Sequence, residues 1–138
     1  MRIRTFAKTI LVNDDAKVLV LRRSKSDTRR PGETDFAGGE IEPDEGIVDG
    51  AVREIREEVG IEVSRNVMQL IYTGTSVYND SETIVNRLLY IAHIPNHQIT
   101  LSFEHDQYMW LFPSEVLKDF PHPFYGEGLR FAITHKLI

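Results

Sequence analysis

Glu54, Glu57 and Glu58 are spaced three and four residues apart, so on a helix their carboxylates fall within one turn. Carboxylates this close raise one another's pKa, and each pair costs a few tenths of a kcal/mol, roughly, until a cation joins them. Oxygen-only ligands suit a hard ion. Mg²⁺ in particular is usually held by one or two carboxylates together with waters and substrate phosphates. The chemistry this implies is metal-assisted attack on a phosphorylated substrate. The plain alternative is a Glu-rich helix face that is simply solvated.

The flanking residues weigh against that alternative. Ile47, Val48, Ala51, Val52, Ile55 and Val59 recur at the spacing of an amphipathic helix, giving the segment a face to bury opposite the glutamates. Gly38-Gly39 precedes the helix, Gly60 sits where a C′ glycine belongs, and Glu45 and Arg53 lie at fixed offsets from the cluster. In this register the chain resembles the Nudix hydrolases. Their signature, a glycine and a glutamate followed by Arg-Glu-U-x-Glu-Glu-x-Gly-U with U aliphatic, is met by Gly39, Glu45, Arg53, Glu54, Ile55, Glu57, Glu58, Gly60 and Ile61.

The resemblance implies a fold, an ion and a set of roles. The fold is an α/β/α sandwich around a central mixed β-sheet, with the signature as a loop–helix–loop catalytic unit. Glu54, Glu57 and Glu58 become Mg²⁺ ligands, with Mn²⁺ as a substitute and the backbone carbonyl of Gly39 (or Gly38) as a further ligand. Glycine at 38 and 39 allows unusual dihedrals and close approach of ion or phosphate, so both count as substrate-binding positions. Arg53 is expected to orient the glutamates by pairing with Glu57 or Glu45. Glu42 is a weaker ligand, or a solvated loop residue.

The family takes its general base from the signature or from a distant loop. Glu57 and Glu54 represent the first choice, and Glu104 the second. Glu104-His105-Asp106-Gln107 followed by Trp110 resembles a pattern of small MutT-like members, with Gln107 where glutamate is common. One departure lies before the signature, where Ala37 replaces a usual proline; it bears on loop rigidity, because a proline ring contributes no ligand.

Composition narrows the partners. A chain of 138 residues with net charge −5 suits one domain, residues 1–138, without an extended nucleic-acid-binding surface. Arg22, Arg23, Lys25, Arg29 and Arg30 nevertheless crowd one stretch, and Arg23, near a strand end, is expected to meet a substrate phosphate. The chain has no cysteine, and Ile10-Leu11-Val12 is too short for a signal or a membrane span. These point to the cytoplasm and to no membrane. Many members of the resembled family are dimers; a homodimer is compatible with that, although no apolar stripe here marks an interface.

Several elements must position these groups. Thr5 to Val12 and Lys17 to Arg22 read as strands of a hairpin around Asn13-Asp14-Asp15-Ala16. Arg23 to Pro43 reads as a long loop. Strands are expected at about 68–77, 83–94 and 107–112, the last apolar on both faces and so covered on both. A short helix capped by Ser114 and a final helix over about 126–136 complete the pattern. Interleaved strands and helices of this kind give a layered α/β architecture.

The expected function is Mg²⁺-dependent hydrolysis of a pyrophosphate bond in a nucleoside diphosphate linked to another group. The leading substrate is a nucleoside triphosphate, oxidised or noncanonical ones included, cleaved to monophosphate and pyrophosphate. The alternatives are a dinucleoside polyphosphate, for which Tyr78 is a weak marker, a nucleotide sugar, and a noncatalytic nucleotide sensor.

Overall fold

The computed structural model describes residues 1–27, 30–95 and 98–138, so Arg29 of the basic stretch lies outside the described residues. Seven strands form one mixed sheet: β1 (Arg2–Val12), β2 (Val18–Arg23), β3 (Thr34–Asp35), β4 (Ala37–Glu40), β5 (Gln69–Val77), β6 (Thr83–His93) and β7 (His105–Leu111). The order β3-β2-β1-β6-β5 runs across the sheet, with β4 on β1 and β7 on β2. Among the described residues, only the β1–β6 pairing is parallel, running from Arg2↔Thr83 to Val12↔His93. Helix α1 (Ile47–Val59) carries the signature; α2 (Pro113–Asp119) and α3 (Pro123–Thr134) follow the last strand.

Both sheet faces are covered, and strand alternation decides which residue faces which helix. Ile10, Val12, Val18, Val20, Leu89 and Ile91 pack with Val116 of α2 and Leu129 and Ala132 of α3. Their neighbours Leu11, Leu19, Leu21 and Ala92 pack instead with Ile55 and Val59 of α1. A period of two on strands buried from both sides thus yields the three-layer α/β/α arrangement.

The β1–β2 hairpin turns where expected. The Asn13 side-chain carbonyl accepts from the backbone N–H groups of Asp15 and Lys17, and Ala16 takes a positive φ of 59°. The expected loop from Arg23 to Pro43 instead contains β3 and β4, two strands too short to show a periodic pattern. Ala37, buried in β4, pairs with Thr9 of β1, so the sheet supplies the rigidity a proline would have given.

Two helix starts differ from expectation. Phe112, not Ser114, stands before α2, and its N–H donates to the Glu115 carboxylate, half of a capping box. Helix α3 begins at Pro123 because proline is preorganised for the first helical position, which moves its start ahead of Gly126. Strand β7 is also less covered than its apolar pattern implied: Tyr108 and Met109 are 42% and 38% exposed. It pairs with β2 alone among the described strands, leaving its outer side at the edge.

Candidate active site

Helix α1 runs against β1 and β4, so its carboxylates lie beside the Gly38-Gly39 strand. Gly60 ends it in the left-handed conformation (φ 74°), as its position in the sequence implied. Of the three clustered glutamates, only Glu57 is on the solvent side. Glu54 is half-buried and Glu58 is 3% exposed, so the expectation of one common solvent face does not hold. Glu58 lies where the helix meets the sheet, and both its oxygens accept from the Gly38 N–H, at 3.1 and 3.4 Å.

Arg53 organises the solvent side. It grips Glu45 with two parallel bonds, Nε to Oε2 at 2.9 Å and Nη2 to Oε1 at 2.6 Å. Its Nη1 donates to Glu54 at 3.1 Å and to Glu57 at 3.0 Å, so it pairs with both expected partners and with Glu54 as well. These hydrogen bonds hold the Glu45 carboxyl well below the usual carboxylate range. Glu42 is mostly exposed and 4.0 Å from Arg53, the solvated position of its two expected readings.

Beneath the glutamates lies a second, buried network that joins Arg23 and His105 to Lys8 and Asp35, two residues the sequence did not mark. Lys8, on β1, donates from Nζ to Asp35 Oδ2 at 3.0 Å and to the Gly38 carbonyl at 2.9 Å. Asp35 Oδ2 also accepts from Arg23 Nη1 at 3.1 Å, and Arg23 Nη2 pairs with Asp27. Arg23 is therefore engaged by two carboxylates at the site where a substrate phosphate was expected. His105 is 3% exposed, with Nε2 3.8 Å from Asp35 and Nδ1 3.9 Å from Glu58, and neither ring nitrogen has a hydrogen-bond partner among the described residues. The available signal was Lys8 itself, a charge within the otherwise apolar run Ile10-Leu11-Val12 and Phe6-Ala7.

Burial and charge set the protonation of these groups. Burial pushes the Glu58 carboxyl up to about 8, against the opposing pull of Lys8 and the Gly38 N–H. Glu54 is also raised, by burial first, with Arg53 opposing. Asp35 goes the other way: burial would raise it, but Lys8 and His105 hold it below the ordinary carboxylate range. Lys8 is raised because Asp35 and Glu58 outweigh its own burial.

The donors suit a hard divalent ion. Glu54 and Glu58 are half-buried or buried carboxylates whose charge is disfavoured until a cation compensates it. Glu58, Glu104 and His105 each offer a ligand atom within 4.8 Å of the others. Gly39 leaves room against Glu54, since a Cβ there would lie 2.8 Å from the Glu54 carboxyl carbon.

A cavity of about 720 Å³ opens beside this cluster. Gly38, Gly39, Glu54 and Glu104 line it, together with Arg23, Arg30, Arg87, Tyr78, His122 and Tyr125. Among the expected site residues, Glu54, Glu104, Arg23, Gly38 and Gly39 thus share one cavity, while Glu57 and Arg53 stand behind Glu54. Arg22 is turned away, paired with Asp106 at 3.0 Å.

A mixed sheet between helices, with a glutamate-bearing helix after a glycine pair, defines a Nudix-type hydrolase fold. The match is confirmed across the chain: the model of the NUDIX domain fits residues 2–130, and this protein belongs to the Nudix hydrolase family. It is 33% identical over 112 residues to the CTP pyrophosphohydrolase of Escherichia coli (strain K12), covering 78% of this chain and 76% of that protein. It is 30% identical over 128 residues to the nucleoside triphosphatase NudI of Escherichia fergusonii, covering 84% and 86%. The fold matches the MutT protein from Methanosarcina mazei Go1 with a TM-score of 0.81 and 24% identity, over 98% of this chain and 96% of the other. Among the described residues, no helix is long and apolar enough to cross a membrane.

Proposed function

We propose that this enzyme, acting as a single Nudix domain over residues 1–138, hydrolyses nucleoside triphosphates to monophosphate and pyrophosphate with Mg²⁺ or Mn²⁺. The observation that carries the reading is one cavity lined by carboxylates, cations and aromatic rings together. The names of the two relatives, a pyrophosphohydrolase and a nucleoside triphosphatase, support the same substrate class.

In this reading Glu54, Glu57, Glu58 and the Gly39 carbonyl hold the ion. Bound there, a divalent cation supplies charge neutralisation of the diphosphate and a more acidic water. The chain's own residues do the rest. Arg53 fixes the Glu54 and Glu57 carboxylates against the helix, and its anchor on Glu45 keeps it from swinging away. Glu57 or Glu104 accepts the proton of the attacking water; Glu104 is exposed and lines the cavity, and Glu57 is exposed beside Glu54. Arg30 and Arg87 add positive charge to the same cavity, while Arg23 contributes with its charge already shared between Asp27 and Asp35.

A panel of nucleoside triphosphates incubated with Mg²⁺ or Mn²⁺, with products identified by mass, tests the proposal. Turnover to monophosphate and pyrophosphate is expected. Release of inorganic phosphate alone, or no turnover of any triphosphate, would overturn it. A second reading, hydrolysis of dinucleoside polyphosphates, draws on Tyr78, which lines the same cavity; the panel should therefore include such a substrate.

A further inference from the structure

The cavity lined by Glu54 and Gly39 also holds three polar groups with hydrogen-bonding capacity to spare among the described residues. Lys8 has three N–H donors, and only two are used, on Asp35 and Gly38, among the described residues. The Tyr125 hydroxyl makes no hydrogen bond among the described residues, although Tyr125 is 3% exposed. His122 Nδ1 is buried and has no partner among them either. All three residues line the cavity. Of their polar atoms His122 Nδ1 is the one both buried and unpaired, a costly state that a ligand hydrogen-bonding it relieves.

Topology strings them from beside the glutamates, where Lys8 bonds the Gly38 carbonyl, to the start of helix α3. Strand β1 lies between β4 and β6, with Lys8 paired to Gly38 on one side and Leu89 on the other. Helix α3 packs over Leu89 and Ile91 of β6, and His122 and Tyr125 open that helix with rings 4.7 Å apart. From β4 to β5 is three strand spacings, about 14 Å. A nucleotide whose phosphates lie at Glu54 and Gly39 therefore extends its nucleoside toward β6 and the start of α3.

The charge there favours one kind of base edge. Lys8, Arg87 and Arg30 are all close enough to act on His122, which burial and these cations keep neutral, its pKa near 4. An edge facing cations must offer acceptors: a ring carbonyl oxygen, more negative than a ring nitrogen, fits best, and adenine has none.

We propose that Lys8, His122 and Tyr125 form a base-reading subsite that selects nucleobases bearing a ring carbonyl, as in cytosine, uracil and guanine, over adenine. The inference rests on the triphosphate reading above and deepens it. Lys8 supplies a charge-assisted hydrogen bond to the carbonyl oxygen, and the Tyr125 hydroxyl and His122 Nδ1 pair with the neighbouring ring atoms. Asp35 acts through Lys8, as a positioning residue.

The test compares kcat/KM for CTP, UTP, GTP and ATP in the wild type, Lys8→Met and Tyr125→Phe. Lys8→Met keeps the stem, and Asp35 retains Arg23; Tyr125→Phe keeps the ring. Thermal melts report folding. The expected result is that ATP is the poorest wild-type substrate by about tenfold or more, a difference of ~1.4 kcal/mol, and that each variant brings the ratio of the best carbonyl-bearing triphosphate to ATP toward one. ATP equal to or better than the others, or an unchanged ratio in both folded variants, overturns the subsite. Should the wild type turn over no triphosphate, calorimetric binding of nonhydrolysable CTP and ATP analogues replaces kcat/KM. Discrimination lost in the variants would then uphold the subsite while the hydrolytic reading falls, and equal binding would sink both.

Discussion

Arg53 and Glu45 meet through two parallel hydrogen bonds, of 2.9 and 2.6 Å, that tie the loop before α1 to the middle of that helix. The same guanidinium reaches Glu54 and Glu57, so the loop, through Arg53, sets where two carboxylates of the site point. A lysine at 53 would keep the charge but lose the planar fork. Arg53→Lys and Glu45→Gln are both expected to lower kcat by roughly 10- to 100-fold, the cost of slight misplacement in a catalytic geometry. A circular-dichroism melt close to wild type should accompany the loss. Full activity in either variant would show that the pair has no orienting role.

Glu57 and Glu104 differ as proton acceptors. Glu57 is exposed and lies within the signature, whereas Glu104 sits on the loop before β7, its backbone carbonyl accepting from Ser24 N at 2.8 Å. Glu57→Gln is expected to lose most of the turnover, about 10²- to 10⁴-fold if it serves in proton transfer, and Glu104→Gln to lose less. Neither side chain is buried, so both variants should fold. The ranking is read from kcat at saturating nucleotide and Mg²⁺; a larger loss at Glu104 would reverse the assignment.

The difference between what the chain's pattern revealed and what it concealed has a physical basis. Helix α1 was legible because a 3.6-residue apolar period, a C′ glycine and the charged positions all agree over thirteen residues. The long strands were legible for a similar reason. Strands β3 and β4 were not, since two and four residues contain too few alternations to register; their pairing with β2 and β1 is decided by tertiary contacts. Glu58 could not be told from its neighbours, because spacing alone does not reveal that the sheet's glycine strand lies against one side of the turn. Likewise the Lys8–Asp35 pair joins residues 27 positions apart, which only folding brings together.

Buried Glu58 and half-buried His122 give the protein opposite pH dependences. Glu58 moves from an ordinary 4.5 to about 8, so between these values the folded state binds a proton that the unfolded state does not, and stability falls as pH rises. His122 moves from 6.5 to about 4, so between these values the unfolded state holds the extra proton, and stability rises with pH. The two oppose each other up to pH 6.5, and above it only Glu58 of this pair contributes. With divalent ions chelated, the melting temperature should fall between pH 6.5 and 8, and Glu58→Gln should flatten that fall. Added Mg²⁺ should raise the melt more at pH 8, where a cation has less proton to displace. A flat wild-type profile in that window would contradict the buried protonated form of Glu58.

Adjacent glycines answer different demands, which one pair of substitutions separates. At Gly38, φ is 146° and a Cβ would lie 2.1 Å from the Ala7 carbonyl oxygen, a backbone atom fixed in the sheet. Neither the strain nor the clash can relax without moving β1 or β4, so Gly38→Ala is expected to destabilise the fold by about 2 kcal/mol or more. At Gly39 the conflict is with the Glu54 side chain, 2.8 Å away, which can rotate. Gly39→Ala should therefore keep most of its stability while displacing a carboxylate of the site. The expected outcome is a lowered urea midpoint for Gly38→Ala, and for Gly39→Ala a near-normal midpoint with turnover reduced by about 10-fold or more. If the Gly39 variant unfolded as readily as the Gly38 variant, Glu54 would have to be held too rigidly to yield, and the division of roles between the two glycines would fail.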